Sequence, residues 1–230
     1  MGFLLTFETH IKKYFSSDEM KKWVPDNQNL NTLSEEIQIQ KKMEQEKTRC
    51  RWCVGIDIYE KYHDEEWGIP VFEDQKLFEF LILETFQAGL SWITILKKRE
   101  NFRLAFDNFD YKKVAEYSED KIQELLQDAG IIRNQLKIRA AVSNAISFMK
   151  VQEEFGSFSS YIWGFVDGKP IINTLKNMSE IQATTPLSDI ISKDLKKRSF
   201  KFVGSTVVYA HMQATGMVND HVEDCFKKLK

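Results

Sequence analysis

Cysteine is scarce in this 230-residue chain: Cys50, Cys53 and Cys225 are the whole complement. An odd number in a long chain without a secretory signal excludes a disulfide framework. It predicts a reducing, intracellular setting, in which clustered thiols more often hold metal than pair with each other. Charge of one sign is lacking too. The formal net charge of −2 excludes a basic coat over the whole surface and leaves room only for a local basic face. No apolar run reaches the length that crosses a bilayer, so no membrane partner is expected. Arginine is absent before Arg49, and acids are frequent there, which makes the start a poor mitochondrial presequence. Met1-Gly2-Phe3-Leu4-Leu5-Thr6 fits the N-myristoylation pattern, but that pattern is permissive enough for chance to be its default explanation. Nuclear and cytoplasmic locations are not distinguished. Internal repeats and low-complexity tracts are also missing, and no interface pattern stands out, so a monomer is expected.

What is present divides near residue 47. Residues 1–47 are rich in Lys, Glu, Gln and Asn, with a break at Val24-Pro25-Asp26-Asn27-Gln28-Asn29. Ser34 to Lys47 reads as a solvated helix with little apolar face. We read the segment as a polar, mobile extension and residues 48–230 as one domain. That domain is aromatic-rich, the chain holding 17 Phe and 5 Trp.

The segment Leu77 to Trp92 organises the domain. Leu77, Phe78, Leu81, Ile82 and Phe86 recur at helical spacing, and Phe80 and Leu83 fill the other faces. Such a helix is buried all round. Glu84 lies in its middle, so its carboxylate must be paired, protonated or held in a polar cavity. Gly89 ends the helix, and Leu90-Ser91-Trp92 follow on the turn. Further helices are predicted over Asn101–Phe109, after the caps Asp110 and Ser118, from Asn134 to Met149, over Tyr161–Phe165, after Thr185-Pro186, and over Phe202–Thr215 with Gly216 as the stop. With short connections throughout, the fold class is all-α.

Three groups of residues carry chemistry. His221-x-x-x-Cys225 places two metal ligands on one helical face. Cys50 and His63 would complete a closed tetrahedral site, structural because no position is left for water. Cys50 and Cys53 with His221 and Cys225 form a rival set, and three unrelated thiols are the plainest alternative. The second group is the hairpin Gly130-Ile131-Ile132-Arg133 between two helices. Its N–H groups, with Arg133, Asn134 and Lys137, suit a DNA phosphate. Lys97-Lys98-Arg99 and Lys196-Lys197-Arg198 would extend a basic face, although either run alone is more often a solvated helix end. The third group is Trp52, Tyr59, Tyr62, Trp67 and Trp92. Set against Glu84, these rings suit a planar cation; by themselves they are more often core.

At these residues the chain resembles the 3-methyladenine DNA glycosylase I family. The likeness is carried by Arg49-Cys50, Tyr62-His63-Asp64, Glu66-Trp67-Gly68, Gln87 to Thr94, Leu96 to Asn101, Gln127 to Arg133, Lys201 to Gly204, and Val218 to Val222, in order from about Arg49 to Cys225. The resemblance implies a helix-hairpin-helix glycosylase fold with a structural zinc tying the two ends of the domain through Cys50, His63, His221 and Cys225, with Cys53 outside the set. It implies Glu84, Tyr62 and Trp92 as the catalytic base pocket, with Trp52 and Tyr59 nearby. Gly89, Leu90, Gly130, Arg133 and Lys137 would face DNA, Leu90 as the wedge. The implied reaction is hydrolytic release of free 3-methyladenine from alkylated double-stranded DNA, without lyase activity. The rival expectation is a zinc-stapled DNA-binding module without catalysis. Thr85-Phe86 depart from the family beside Glu84 and raise a third expectation, an altered pocket. Ser199 stands where the family has glycine, at a cost if that backbone is left-handed. His211 has no implied role and is expected to pack.

Overall fold

A computed structural model describes residues 47–229. The expectations for the extension before Lys47 lie outside the described residues. Ten α-helices follow in the described part: α1 Asp57–Glu65, α2 Asp74–Gln87, α3 Trp92–Leu96, α4 Arg99–Ala105, α5 Tyr111–Ala115, α6 Glu119–Gln127, α7 Gln135–Phe155, α8 Phe158–Gly164, α9 Pro186–Lys197 and α10 Ser205–Ala214. Two-residue strands, β1 Ile171–Ile172 and β2 Val218–Asn219, pair in parallel beside them. Among the described residues no helix is long and apolar enough to cross a membrane.

α2 is the axis, as its sequence requires. Every residue from Leu77 to Phe86 is buried, and α10, α7, α3 and α8 all pack on it. Phe rings bind the layers. Phe148 of α7 lies between Phe78 of α2 and Phe158 of α8, with centroids 5.2 and 4.1 Å away. Phe86, Phe102, Phe106 and Phe109 form a second chain of rings. Side chains close the helix starts as read: Asp110 accepts from the N–H groups of Lys112 and Lys113, Ser118 from Lys121, Asn134 from Lys137, and Thr185 forms a capping box with Ser188.

Two helices are shorter than expected. α4 stops at Ala105, because Asp107, Asn108 and Phe109 all turn left-handed. That turn returns Phe109 to stack on Phe106 at 4° between ring planes, and Tyr117 Oη secures it on Asp107 Oδ2 at 2.6 Å. α10 begins at Ser205 rather than Phe202, whose φ is +57°. The buried Asn144 of α7 clasps the preceding Lys201 backbone at both its N–H and its carbonyl.

Ser199 is indeed left-handed, at φ +71°. Its Cβ is strained there by an amount on the order of 1 kcal/mol. Ser199→Gly is therefore expected to stabilise the domain slightly, read as a denaturant midpoint that rises at constant slope. Gly216 is a stricter case. A Cβ there would lie 2.3 Å from the Ile69 carbonyl carbon. The close approach lets Gly68 and Val71 donate to the carbonyls of Gln213 and Thr215. The end of α10 is thus sewn to the segment that follows α1.

Candidate active site and metal centre

A cavity of about 250 Å³ opens between α1, α2, α3 and α10, lined by Trp52, Tyr62, Trp67, Glu84, Gln87, Trp92, Met178, Ile181, Ala210 and Gln213. Helical spacing sets its floor: Glu84 and Gln87 are one turn apart on α2, as are Ala210 and Gln213 on α10. The left-handed Gly89, at φ +84°, turns the chain after α2 so that Trp92 starts α3 against Tyr62, their rings 5.4 Å apart. Trp52 stands edge-on to Tyr59 and Trp67 at 5.4 and 5.2 Å.

Glu84 is 3 % exposed. Among the described residues no group hydrogen-bonds its carboxylate, and burial pushes its pKa from 4.5 up to about 8. The same burial, followed by the nearby Glu84 charge, holds the Tyr62 phenol well above its ordinary value. The indole N–H groups of Trp52 and Trp92 are buried, with no acceptor among the described residues. A carboxyl group, two indole donors and several flat rings therefore meet at one cavity, with no hydrogen bonds among the described residues to satisfy them.

Tyr59 does not line the cavity. Its hydroxyl accepts from the Ile93 N–H at 2.8 Å, so it anchors the start of α3 behind Trp92. Thr85 and Phe86 are also absent from the lining. The Thr85 hydroxyl bonds the Leu81 carbonyl, and Phe86 packs on Phe102. Neither side chain forms part of the cavity wall. Sequence reasoning missed Gln87, Met178, Ile181, Ala210 and Gln213 as lining residues. Gln87 was accessible from its spacing to Glu84; the others come from remote segments that only tertiary packing unites. His211 packs as expected. Its ring is buried, burial pushes its pKa down to about 4, and its Nε2 donates to the Leu77 carbonyl.

The hairpin Asp128–Asn134 joins α6 to α7. Lys98 Nζ holds the Ala129 and Gly130 carbonyls at 2.8 and 3.2 Å. The Gly130 N–H is taken by Asp128 Oδ1, and a Cβ at Gly130 would crowd that oxygen and Asn101. The N–H groups of Ile132 and Arg133 keep no partner among the described residues, and the Arg133 side chain is exposed. Lys137 is buried instead. Its ammonium donates to the carbonyls of Phe86 and Ala88, closing the C-terminus of α2 just before Gly89 and Leu90. The basic runs contribute less to a surface than their sequence suggests. Arg99 is buried, chelating both oxygens of Glu66 and bonding Glu79. Arg198 is engaged by Glu154 and Asp194. Leu90 is 40 % exposed on its turn.

Cys50, His63, His221 and Cys225 form a buried cluster whose ligand atoms all lie within 4.8 Å of one another. Cys225 Sγ is 3.3 Å from His63 Nε2 and 3.4 Å from His221 Nδ1, and Cys50 Sγ is 3.5 Å from His221 Nδ1. Ligands about 2.0–2.3 Å from a central tetrahedral ion have separations of this order. The outer partners also fit. His63 Nδ1 meets Asp64 at 2.8 Å, itself held by Arg49, and His221 Nε2 meets the Trp67 carbonyl at 3.1 Å. Each ring thereby turns its other nitrogen to the centre. Cys53 is outside, its thiol donating to the Cys50 carbonyl. The donor set suits a divalent cation, because without one an ionised Cys225 pushes the Cys50 thiol up.

Fold and cavity together define a class: a helical protein with an aromatic, acid-floored cavity beside a buried two-Cys, two-His cluster. The methyladenine glycosylase family model matches residues 52–228. The chain is 49 % identical over 177 residues to DNA-3-methyladenine glycosylase 1 of Escherichia coli (strain K12), covering 77 % of this chain and 95 % of that protein. A crystal structure of 3-methyladenine DNA glycosylase I superposes with a TM-score of 0.77 at 47 % identity, covering 79 % of this chain and all of the other. A variant of 3-methyladenine DNA glycosylase I in complex with 3-methyladenine also gives 0.77, at 35 % identity, over 79 % of this chain and 98 % of that one. The chain belongs to the 3-methyladenine DNA glycosylase I family.

Proposed function

We infer that this protein hydrolyses the N-glycosidic bond of 3-methyladenine in alkylated double-stranded DNA, as an intracellular, monomeric repair enzyme. The observation that carries the reading is Glu84: a buried carboxylate without a partner, facing an aromatic cavity. A binding module without catalysis has no use for such a pocket, and leaving an acid there is costly.

The chemistry follows from charge. Methylation at N3 makes the adenine cationic and weakens its bond to the sugar, so little acid catalysis is needed. The enzyme must take the base out of the stack and hold it. Leu90, exposed and apolar on its turn, fills the vacated space. Trp92 and Tyr62 embrace the ring, and Trp52 closes the enclosure. Glu84 accepts a hydrogen bond from the base and balances its charge; arrival of the cation favours the ionised carboxylate. Normal adenine offers no such charge and gains less. Water attacks C1′ as the C1′–N9 bond breaks. The bond pair leaves with the base as neutral 3-methyladenine, and the water gives up a proton. Among the described residues no lysine lines the cavity, so the reaction stops at hydrolysis. Arg133 and the free hairpin N–H groups would hold phosphate, with Gly130 allowing the tight turn. Lys137 would support them indirectly, by fixing the end of α2. The four-residue cluster would hold zinc, whose contribution is structural: it ties residues near Cys50 to those near Cys225.

The test is base release from methylated duplex DNA, resolved by chromatography. Release of 3-methyladenine is expected. A folded, metal-loaded protein that releases none would overturn the assignment.

A further inference from the structure

The turn that carries Leu90 is held from another segment. Its four residues are Gln87, Ala88, Gly89 and Leu90. Ala88 has φ −49° and ψ 115°, Gly89 has φ +84°, and the Leu90 N–H donates to the Gln87 carbonyl at 2.7 Å. These angles make a type II turn. Type I differs from it by a flip of the middle peptide, here the one between Ala88 and Gly89. The side chain of Lys137 opposes that flip. Its buried ammonium donates to the Ala88 carbonyl, the oxygen of the middle peptide, at 2.6 Å, and to the Phe86 carbonyl at 2.9 Å. The negative end of α2 suits a cation there. The backbone of Lys137 belongs to the hairpin instead. Its N–H donates to Asn134 Oδ1 at 3.1 Å, directly after the Ile132 and Arg133 N–H groups that keep no partner among the described residues. One residue thus joins, across 49 positions of sequence, the wedge turn and the hairpin.

We propose that Lys137 is a positioning residue for base eviction: its ammonium pins the middle peptide of the Leu90 turn, so that the apolar wedge stands in a fixed place relative to the hairpin that grips the DNA phosphate. This deepens the proposed function and rests on it. Eviction needs the backbone held and the vacated stack filled at the same time, and filling it costs unstacking energy. A turn free to flip would spend part of the phosphate grip on ordering itself. A pinned turn meets the duplex already ordered, and a wedge misplaced by about 1 Å can cost on the order of a hundredfold in rate. Lys137 contributes alignment rather than charge to the DNA, because its ammonium is buried on backbone carbonyls.

The experiment compares wild type, Lys137→Met, Gly89→Ala, Leu90→Ala and the double variant Lys137→Met with Leu90→Ala. Three quantities are read: release of 3-methyladenine from methylated duplex DNA, affinity for free 3-methyladenine by tryptophan quenching, and the salt dependence of duplex binding. The quenching amplitude counts folded pockets, so release is expressed per competent pocket. Lys137→Met is expected to release base at least about tenfold more slowly, with free-base affinity unchanged within about twofold. Its salt slope should equal that of wild type, because no phosphate contact is lost. Leu90→Ala should be slow as well, and adding Lys137→Met to it should change little, since a fixed turn has no use without its wedge. Gly89→Ala keeps the ammonium and strains the same turn: a Cβ there meets nothing within 4 Å, so only the left-handed φ is penalised. It should reproduce the slow release even where Lys137→Met fails to fold. Free-base affinity that falls along with release would reduce Lys137 to a support of the fold. A salt slope smaller by about one would make it a phosphate ligand. Additive losses in the double variant would uncouple it from the wedge. Each of these overturns the proposal and leaves the functional reading standing. Wild type that releases no base while folded and metal-loaded would overturn the functional reading and this inference with it.

Discussion

Glu84→Gln is expected to release 3-methyladenine about a hundredfold more slowly than wild type at pH 7, while unfolding at a higher temperature. The two effects share one cause. Among the described residues no group hydrogen-bonds the carboxylate, and burial pushes its pKa to about 8 against an ordinary 4.5. The unfolded chain ionises this group freely above pH 4.5, whereas the folded chain must keep it protonated or bury a charge. A folded pKa raised in this way contributes stability that is fully present below pH 4.5 and is lost as pH rises towards 8. At pH 7 the penalty is about 3 kcal/mol, taking about 1.4 kcal/mol for each pKa unit between 4.5 and 7. Gln does not titrate. The stability difference between variant and wild type should therefore grow from pH 5 to pH 8 and level off above, a profile that melting curves in a pH series would show. The activity falls because the neutral amide no longer balances a cationic base. An undiminished rate would remove Glu84 from the site; a pH-independent stability difference would mean that its carboxylate is solvated.

The second large effect is at the metal centre. Wild type is expected to hold one zinc per chain, and Cys225→Ser to lose it and melt at least about 10 °C lower. The four ligands are buried, and between them they join the loop before α1, α1 itself and the segment after β2. Binding energy at such a staple is folding energy, because the unfolded chain does not preassemble the ligands. Removing one leaves two imidazoles and a thiol sealed without water or ion. A chelator acting on wild type should reproduce the loss. Cys53→Ser is the control: its thiol donates to the Cys50 carbonyl and lies outside the four-ligand cluster, so zinc content should persist with a small change in melting. Full metal content in Cys225→Ser with unchanged melting would refute the staple.

The particular residues show how far sequence reaches. Residues acting through local spacing were legible. The buried α2 followed from apolar residues on every face, and with it the burial of Glu84, but whether that acid was paired, protonated or in a polar cavity stayed open until the structure. The caps Asp110, Ser118 and Thr185 were visible because capping involves neighbours two or three positions away. His221 and Cys225 were legible as ligands, but not on a helical face: the last helix ends at Ala214, and a turn after β2 brings them together. That His63 and Cys50 complete the four, and Cys53 does not, rested on resemblance to a family, since no local pattern links positions so far apart.

Tertiary structure alone decided the rest, wherever one side chain had two possible partners. Lys137 and Arg99 read as surface cations, yet both are buried. Carbonyls at the end of α2 claim the first, and Glu66 and Glu79 claim the second. Burial of a cation is tolerable only where fixed acceptors surround it, and those acceptors come from distant segments. Thr85 and Phe86 adjoin Glu84 in sequence but point into the core, because consecutive helical residues are about 100° apart. Gln213 became a wall residue only when α10 met the chain at Gly216, and Asp220 fixes its amide from the segment after β2. The sequence by itself determined the helical class, the central buried acid and the family; long-range packing decided which polar atoms were satisfied and which remained for a ligand.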